Sequence, residues 1–170
     1  HQAVFCATAV EALAGCIPVK QRPEVGVAYL SGLLHNFGYL VMAEVFPPHF
    51  SSYCRYQEAN RHVSYTAIER FLLDVTRDQM ASWLMKLWSM PEEVCDAVRF
   101  QNEAEYEGTN SEYANLIYVA MRLLRRFNIG NAPLESIPAE MFERLHLDPE
   151  RAVQAIQHVV DASEEIISRL

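Results

Sequence analysis

Apolar positions along this chain recur three and four residues apart almost from end to end, the period of a helix that buries one face. Residues 2–14 carry Val4, Phe5, Ala9, Ala12 and Leu13 at that spacing and predict a helix ending near Gly15, a common stop. Lys20-Gln21-Arg22-Pro23 follows as a short connector. From Glu24 the period continues through Val27, Leu30, Leu33, Leu34, Phe37, Leu40 and Val41, so one long helix is expected, with His35 and Asn36 near its middle. Pro47-Pro48 ends that helix, and the next runs from about Pro48 to Asn60.

Start signals organise the second half. Thr66-Ala67-Ile68-Glu69 and Thr76-Arg77-Asp78-Gln79 both fit the capping box, in which a Thr oxygen and a returning Glu or Gln satisfy free amides of the first turn. Met80, Trp83, Leu84, Leu87 and Trp88 then give a strongly apolar face. Ser89-Met90-Pro91-Glu92 opens a helix with Val94, Ala97, Val98 and Gln101 on one stripe, and Gly108-Thr109-Asn110 breaks the chain. Residues 111–128 hold Leu116, Ile117, Ala120, Leu123, Leu124 and Phe127, closed by Asn128-Ile129-Gly130-Asn131. A short helix from Pro138 to Leu145 and a last one after the Asp148-Pro149-Glu150 cap complete the chain, the latter packing Val153, Ile156, Val160, Ile166 and Ile167. With no alternating strand pattern and no internal repeat, the expectation is an all-α bundle of about eight or nine helices.

Composition narrows what the bundle does. At 170 residues and 51% hydrophobic, the chain supports one substantial core, so 1–170 is expected to be a single domain. A net charge of −8 removes the basic face that sequence-independent nucleic-acid or anionic-membrane binding requires. No uninterrupted apolar run reaches membrane-spanning length, and the first residues lack a signal-peptide pattern. Cys6, Cys16, Cys54 and Cys95 are scattered without pair spacing and read as reduced residues of a cytoplasmic protein. The feature that breaks the pattern is His35-Asn36, polar neighbours inside an apolar run. Buried without partners, each polar group would cost roughly 1–3 kcal/mol.

Gly32-Leu33-Leu34-His35-Asn36-Phe37-Gly38-Tyr39-Leu40-Val41 resembles the G-L-L-H-D-I-G-K-L-V segment of HD-superfamily proteins, in particular of the HDOD domain, a bacterial signalling module related to metal-dependent HD phosphohydrolases. Downstream, Glu69, the Asp78-Gln79 pair, Trp88-Ser89-Met90-Pro91 with Val94, Ala97 and Val98, the Leu116–Leu123 helix and Leu145-His146-Leu147 resemble later family segments in order. The resemblance covers nearly all of the chain. It implies an HD-like core over 1–131 with C-terminal helices over 132–170, and helices of the family's domain preceding His1.

It also implies where a metal would sit and what is missing there. HD enzymes hold divalent metals with imidazoles and carboxylates, and the metal lowers the pKa of an attacking water. His1 and His35 match two imidazole positions, but Asn36, Gln79, Gln101, Asn102 and Met121 stand where the resemblance expects Asp or His. Tyr39 replaces the phosphate-side Lys. Two imidazoles without a carboxylate suit a hard cation poorly, so no metal, cofactor or catalytic residue is expected. His35, Asn36, Gln79, Gln101 and Asn102 remain as ligand-binding candidates, each with a plainer alternative: a satisfied polar pair, a capping residue for Gln79, helix-end groups for Gln101 and Asn102. An active phosphohydrolase would instead need Glu69, Glu44 or His62 to converge on His35, or ligands from the family's helices expected before His1. Arg122, Arg125 and Arg126 are expected to complement a helix dipole, and Tyr53, Tyr56, Tyr65, Tyr106, Tyr113 and Tyr118 to serve as core, rim or partner surface. The reading is a non-catalytic, cytoplasmic, HDOD-like regulatory domain. Its partners are other signalling proteins or domains, with a small nucleotide or a homodimer partner left open and neither nucleic acid nor membrane among them.

Overall fold

The computed structural model describes the backbone of residues 1–168 and the side chains of residues 1–165. Within them lie ten helices: α1 (Gln2–Cys16), α2 (Val25–Leu34), α3 (Phe37–Val45), α4 (Pro47–Ala59), α5 (Tyr65–Leu73), α6 (Arg77–Leu87), α7 (Glu92–Phe100), α8 (Ser111–Arg125), α9 (Ala139–Arg144) and α10 (Pro149–Ser168). The described residues form no strand. The fold is all-α, as the periodicity predicts.

Helix α8 forms the axis. Every residue from Tyr113 to Leu124 is buried, as expected of a helix enclosed on all sides. It packs on α1, α7, α2 and α10, and α1 in turn packs on α2 and α10. Their main core gathers Leu13, Ile17, Leu116, Ile117, Leu123, Met141 and Ile156. A second cluster, Ala81, Met85, Val94, Cys95 and Val98, joins α6 to α7, and a third, Met42, Tyr53, Ile68 and Met80, joins α3 to α6. Side chains of α2 and α3 reach all three: Val27 the first two, Leu30, Leu34 and Phe37 the second, Tyr39 and Val41 the third.

Several expectations change for physical reasons. The expected single helix from Glu24 is two helices with a break at His35-Asn36, where Asn36 takes φ −101° and ψ 11°. The apolar period runs through the break because both halves face one core, so the pattern cannot signal it. Although no uninterrupted apolar run exists, Val25–Val45 as one 21-residue unit is long and apolar enough to cross a membrane. It packs against α1, α6 and α7, which buries a third of its most apolar stretch. Helix α1 continues through Gly15 to Cys16, since a side chain at Gly15 would meet nothing and no tight turn is needed there.

The cap of α5 is Ser64, whose hydroxyl accepts from the Ala67 amide, so Thr66 does not open a capping box and Glu69 is free for another use. The box of Thr76 and Gln79 is present in both directions. Of the apolar face expected on α6, Trp83, Leu87 and Trp88 are exposed, because the smaller Ala81, Ser82 and Met85 bring that helix against its neighbours. Arg122 is buried rather than a surface complement of the helix end. Its guanidinium lies 3.4 Å from the Tyr118 ring centroid and its Nε donates to Glu135 at 2.8 Å. Val160 and Ile156 of α10 are buried, Val153 is half-exposed, and the expected packing of Ile166 and Ile167 lies outside the described side chains.

Candidate functional site

The break between α2 and α3 is shaped by glycines on either side. Gly32 lies against the α1 backbone, where a Cβ would meet the Cα of Ala7 at 2.9 Å. Gly38 lies against the first turn of α6, where a Cβ would meet the Arg77 carbonyl oxygen at 2.3 Å. Two backbones thus close in from opposite sides, and His35 is enclosed between them, 4% exposed. Its Nδ1 lies 2.7 Å from the Gly32 carbonyl oxygen. A carbonyl only accepts, so Nδ1 carries the proton and Nε2 presents a lone pair, which is buried without a protein partner. Burial pushes the imidazole down to about 4, with the charge of Arg77 adding to the fall and the Gly32 hydrogen bond opposing it.

Asp78, in the first turn of α6, is the centre of the adjoining network. Its Oδ1 accepts from Gln101 Nε2 at 3.1 Å and its Oδ2 from Asn102 Nδ2 at 2.7 Å and from the Tyr65 hydroxyl at 3.5 Å. Asn102 also donates to the Tyr65 oxygen. Gln101, at the end of α7, shares its amide protons with the carbonyls of His35 at 2.8 Å and Val98 at 3.0 Å. Through Gln101, then, the break in the α2–α3 rod is fastened to α6 and α7. Burial raises the Asp78 carboxyl to about 7 despite the donors that favour its charged form.

Beside it sits a fully buried cation. Arg77, 1% exposed, pairs through Nε with Glu69, whose other oxygen accepts the Arg77 backbone amide at 2.8 Å. Its Nη2 donates to the Tyr53 hydroxyl at 2.5 Å, and the guanidinium lies 4.1, 5.0 and 5.3 Å from the ring centroids of Tyr65, Tyr39 and Tyr53. Ion pairing and aromatic faces compensate the desolvation that an isolated buried charge could not survive.

The candidates sort cleanly against this geometry. His35, Gln101 and Asn102 are drawn together, joined by Asp78, Tyr65 and the Arg77–Glu69 pair. Gln79 is not: its side-chain oxygen accepts the Thr76 amide at 2.9 Å as the cap requires. Asn36 is half-buried at the head of α3, and its contribution is a backbone carbonyl that accepts from Tyr39. His1 is exposed before α1, and Met121 belongs to the α1–α8 core, in contact range of Gly130. Of the replacement ligands, Glu69 is committed to Arg77, while Glu44 and His62 are exposed.

A divalent metal does not fit this donor set. Among the described residues no group of three His, Cys, Asp or Glu side chains converges, and a buried guanidinium already supplies positive charge beside His35. Sequence reasoning missed Arg77 and undervalued Asp78 and Tyr65. A charged Arg-Asp pair opening a helix reads as solvated first-turn polarity, and only the buried Glu69 eight residues earlier turns it into a core pair.

Comparisons with known proteins bear on the family and the fold. The family model of the HDOD domain matches residues 1–104. An uncharacterised protein of Treponema pallidum is 25% identical over 140 residues, covering 81% of this chain and 27% of that protein. A crystal structure of a candidate signal transduction protein from Marinobacter aquaeolei VT8 superposes with a TM-score of 0.92 at 39% identity, over 99% of this chain and 37% of the other. An HDOD domain protein of unknown function from Geobacter sulfurreducens shares the fold, with a TM-score of 0.67 at 19% identity, over 99% of this chain and 58% of the other. The chain thus spans between about a quarter and three fifths of the length of these relatives. With the matched segment holding the glycine-bracketed break, Asp78 and Gln101, this chain belongs to the HDOD domain family.

Proposed function

We propose that this chain is a non-catalytic signal-transduction module of a bacterial, cytoplasmic regulatory protein, acting by binding. The observation that carries the reading is that the two buried carboxylates beside His35 are already engaged by protein groups. Asp78 is occupied by Gln101, Asn102 and Tyr65, and Glu69 by Arg77. Groups that satisfy one another brace helices, and few are left to hold a reacting phosphoester or its metal. The exposed Trp83 and Leu87 on α6, with Trp88 just after it, support a contact-based role, since adjoining apolar side chains left in water are the kind of surface that protein partners cover.

The test is direct. Metal content after purification, and hydrolysis of nucleotides and cyclic dinucleotides with added Mn²⁺, Mg²⁺ or Ni²⁺, should give substoichiometric metal and no turnover above a no-protein control. Turnover that His35→Ala abolishes would sink the reading and restore the phosphohydrolase alternative.

A further inference from the structure

On the side of the molecule reached by Tyr65 lies a cleft of about 700 Å³, between the α4–α5 turn and the loop that follows α8. We propose that this cleft binds a small organic polyanion bearing phosphate or carboxylate groups. The inference rests on reading the chain as a binding module, and it places the ligand beside the HD-derived positions, of which Asn102 lines the inner recess.

Charge is the first argument. In a protein of net charge −8, Arg61 and His62 from the α4–α5 turn and Arg125 from the last turn of α8 line one cleft, where the carboxylates are Glu58 and Glu135. Among the described residues neither Arg61 nor Arg125 has a carboxylate partner in an ion pair. Arg125 alone could be a complement to the α8 dipole. Arg61 belongs to a different element, so the dipole does not explain why both line one cleft.

The inner end supplies a further, better-positioned cation. A smaller recess of about 190 Å³ shares Ser64, Tyr65, Pro133 and Glu135 with the cleft and extends to Asn102 and Arg122. The Arg122 guanidinium is fixed over the Tyr118 ring and paired with Glu135, whose own side chain is 46% exposed. A carboxylate that holds a buried cation from a solvent-facing loop occupies the position an incoming anion would take. Leu134, 74% exposed beside it, offers an apolar contact for the carbon part of the ligand. The volume suits a small metabolite, within the roughly 300–1,000 Å³ usual for such sites. Because Tyr65 and Asn102 line the recess and also hold Asp78, occupancy would be felt by the network that fastens α6 and α7 to the α2–α3 break.

The experiment is calorimetric titration, with thermal shift in parallel, of the full chain with ATP, inorganic pyrophosphate and citrate at low and near-physiological salt. The first two probes and the third separate phosphate from carboxylate recognition. At least one probe should bind, weakening as salt rises. Arg61→Ala with Arg125→Ala should weaken it by about tenfold or more, the scale of removing one charge-assisted hydrogen bond, while Glu135→Gln should tighten it by freeing Arg122. Arg61 is exposed and Arg125 half-buried, and unchanged circular dichroism would establish that the double variant is folded. No binding by any probe would overturn the proposal, as would equal binding by wild type and double variant. ATP turnover by both proteins would count against the non-catalytic reading, not against the cleft.

Discussion

His35 and Asp78 are neighbours in one network whose protonation costs have opposite sign. The imidazole titrates near 4 in the fold and about 6.5 in the unfolded chain, so between those values the unfolded chain binds the extra proton and stability falls as pH falls. The Asp78 carboxyl titrates near 7 in the fold against 3.8 unfolded, so across the same window the folded chain binds the extra proton and stability falls as pH rises. Glu69, also raised by burial, contributes with the sign of Asp78. The wild type should therefore show shallow dependence between about pH 4 and 6.5. Asp78→Asn should unmask the imidazole, with stability climbing by up to about 3 kcal/mol across that window, and His35→Gln should reverse the slope. Urea denaturation at several pH values checks this; one common slope for all three proteins would refute it. At this scale the sequence was legible where chemistry is local, as in the Thr76–Gln79 cap, and illegible where burial decides. Nothing near Arg77 in the chain states that Glu69 and three tyrosine rings will surround it.

At the scale of elements, the break between α2 and α3 depends on how closely two other helices approach it. Gly38→Ala should cost stability at the upper end of the roughly 1–3 kcal/mol range for overpacking, because its Cβ would strike the Arg77 backbone rather than a movable side chain. Gly32→Ala should cost less, since its nearest contact is 2.9 Å. Gly26→Ala, in the same helix but facing open space, should stabilise by about 0.5–1 kcal/mol. Urea midpoints of the three variants rank them, and a Gly38→Ala protein as stable as Gly26→Ala would show that the approach is not tight. The helices themselves were readable from their period and caps. Their interruption was not, because glycine and histidine here answer to the neighbouring helices α1, α6 and α7, and local spacing does not report those contacts.

For the whole molecule, burial is unevenly distributed. Helix α8 is enclosed from Tyr113 to Leu124 and α1 packs on three neighbours, whereas in α4 the buried side chain is Tyr53. Amide hydrogen exchange should accordingly be slowest in α8 and α1 and fastest, among the helices, in α4. Protection in α4 equal to that in α8 would contradict this distribution. The all-α class was legible because one period persists along the chain. Which helix becomes the axis was less so, since α8 differs from its neighbours only in the residues that happen to cover its polar side.

The elbow at His35 also has a history during synthesis. Gln101 donates to the His35 carbonyl across 66 positions, so this brace is absent until α7 has left the ribosome. At 5–20 residues per second that interval is roughly 3–13 s. Throughout it the 21-residue segment from Val25 to Val45, by length and composition long and apolar enough to cross a membrane, lacks the contact that ties its middle to the rest of the core.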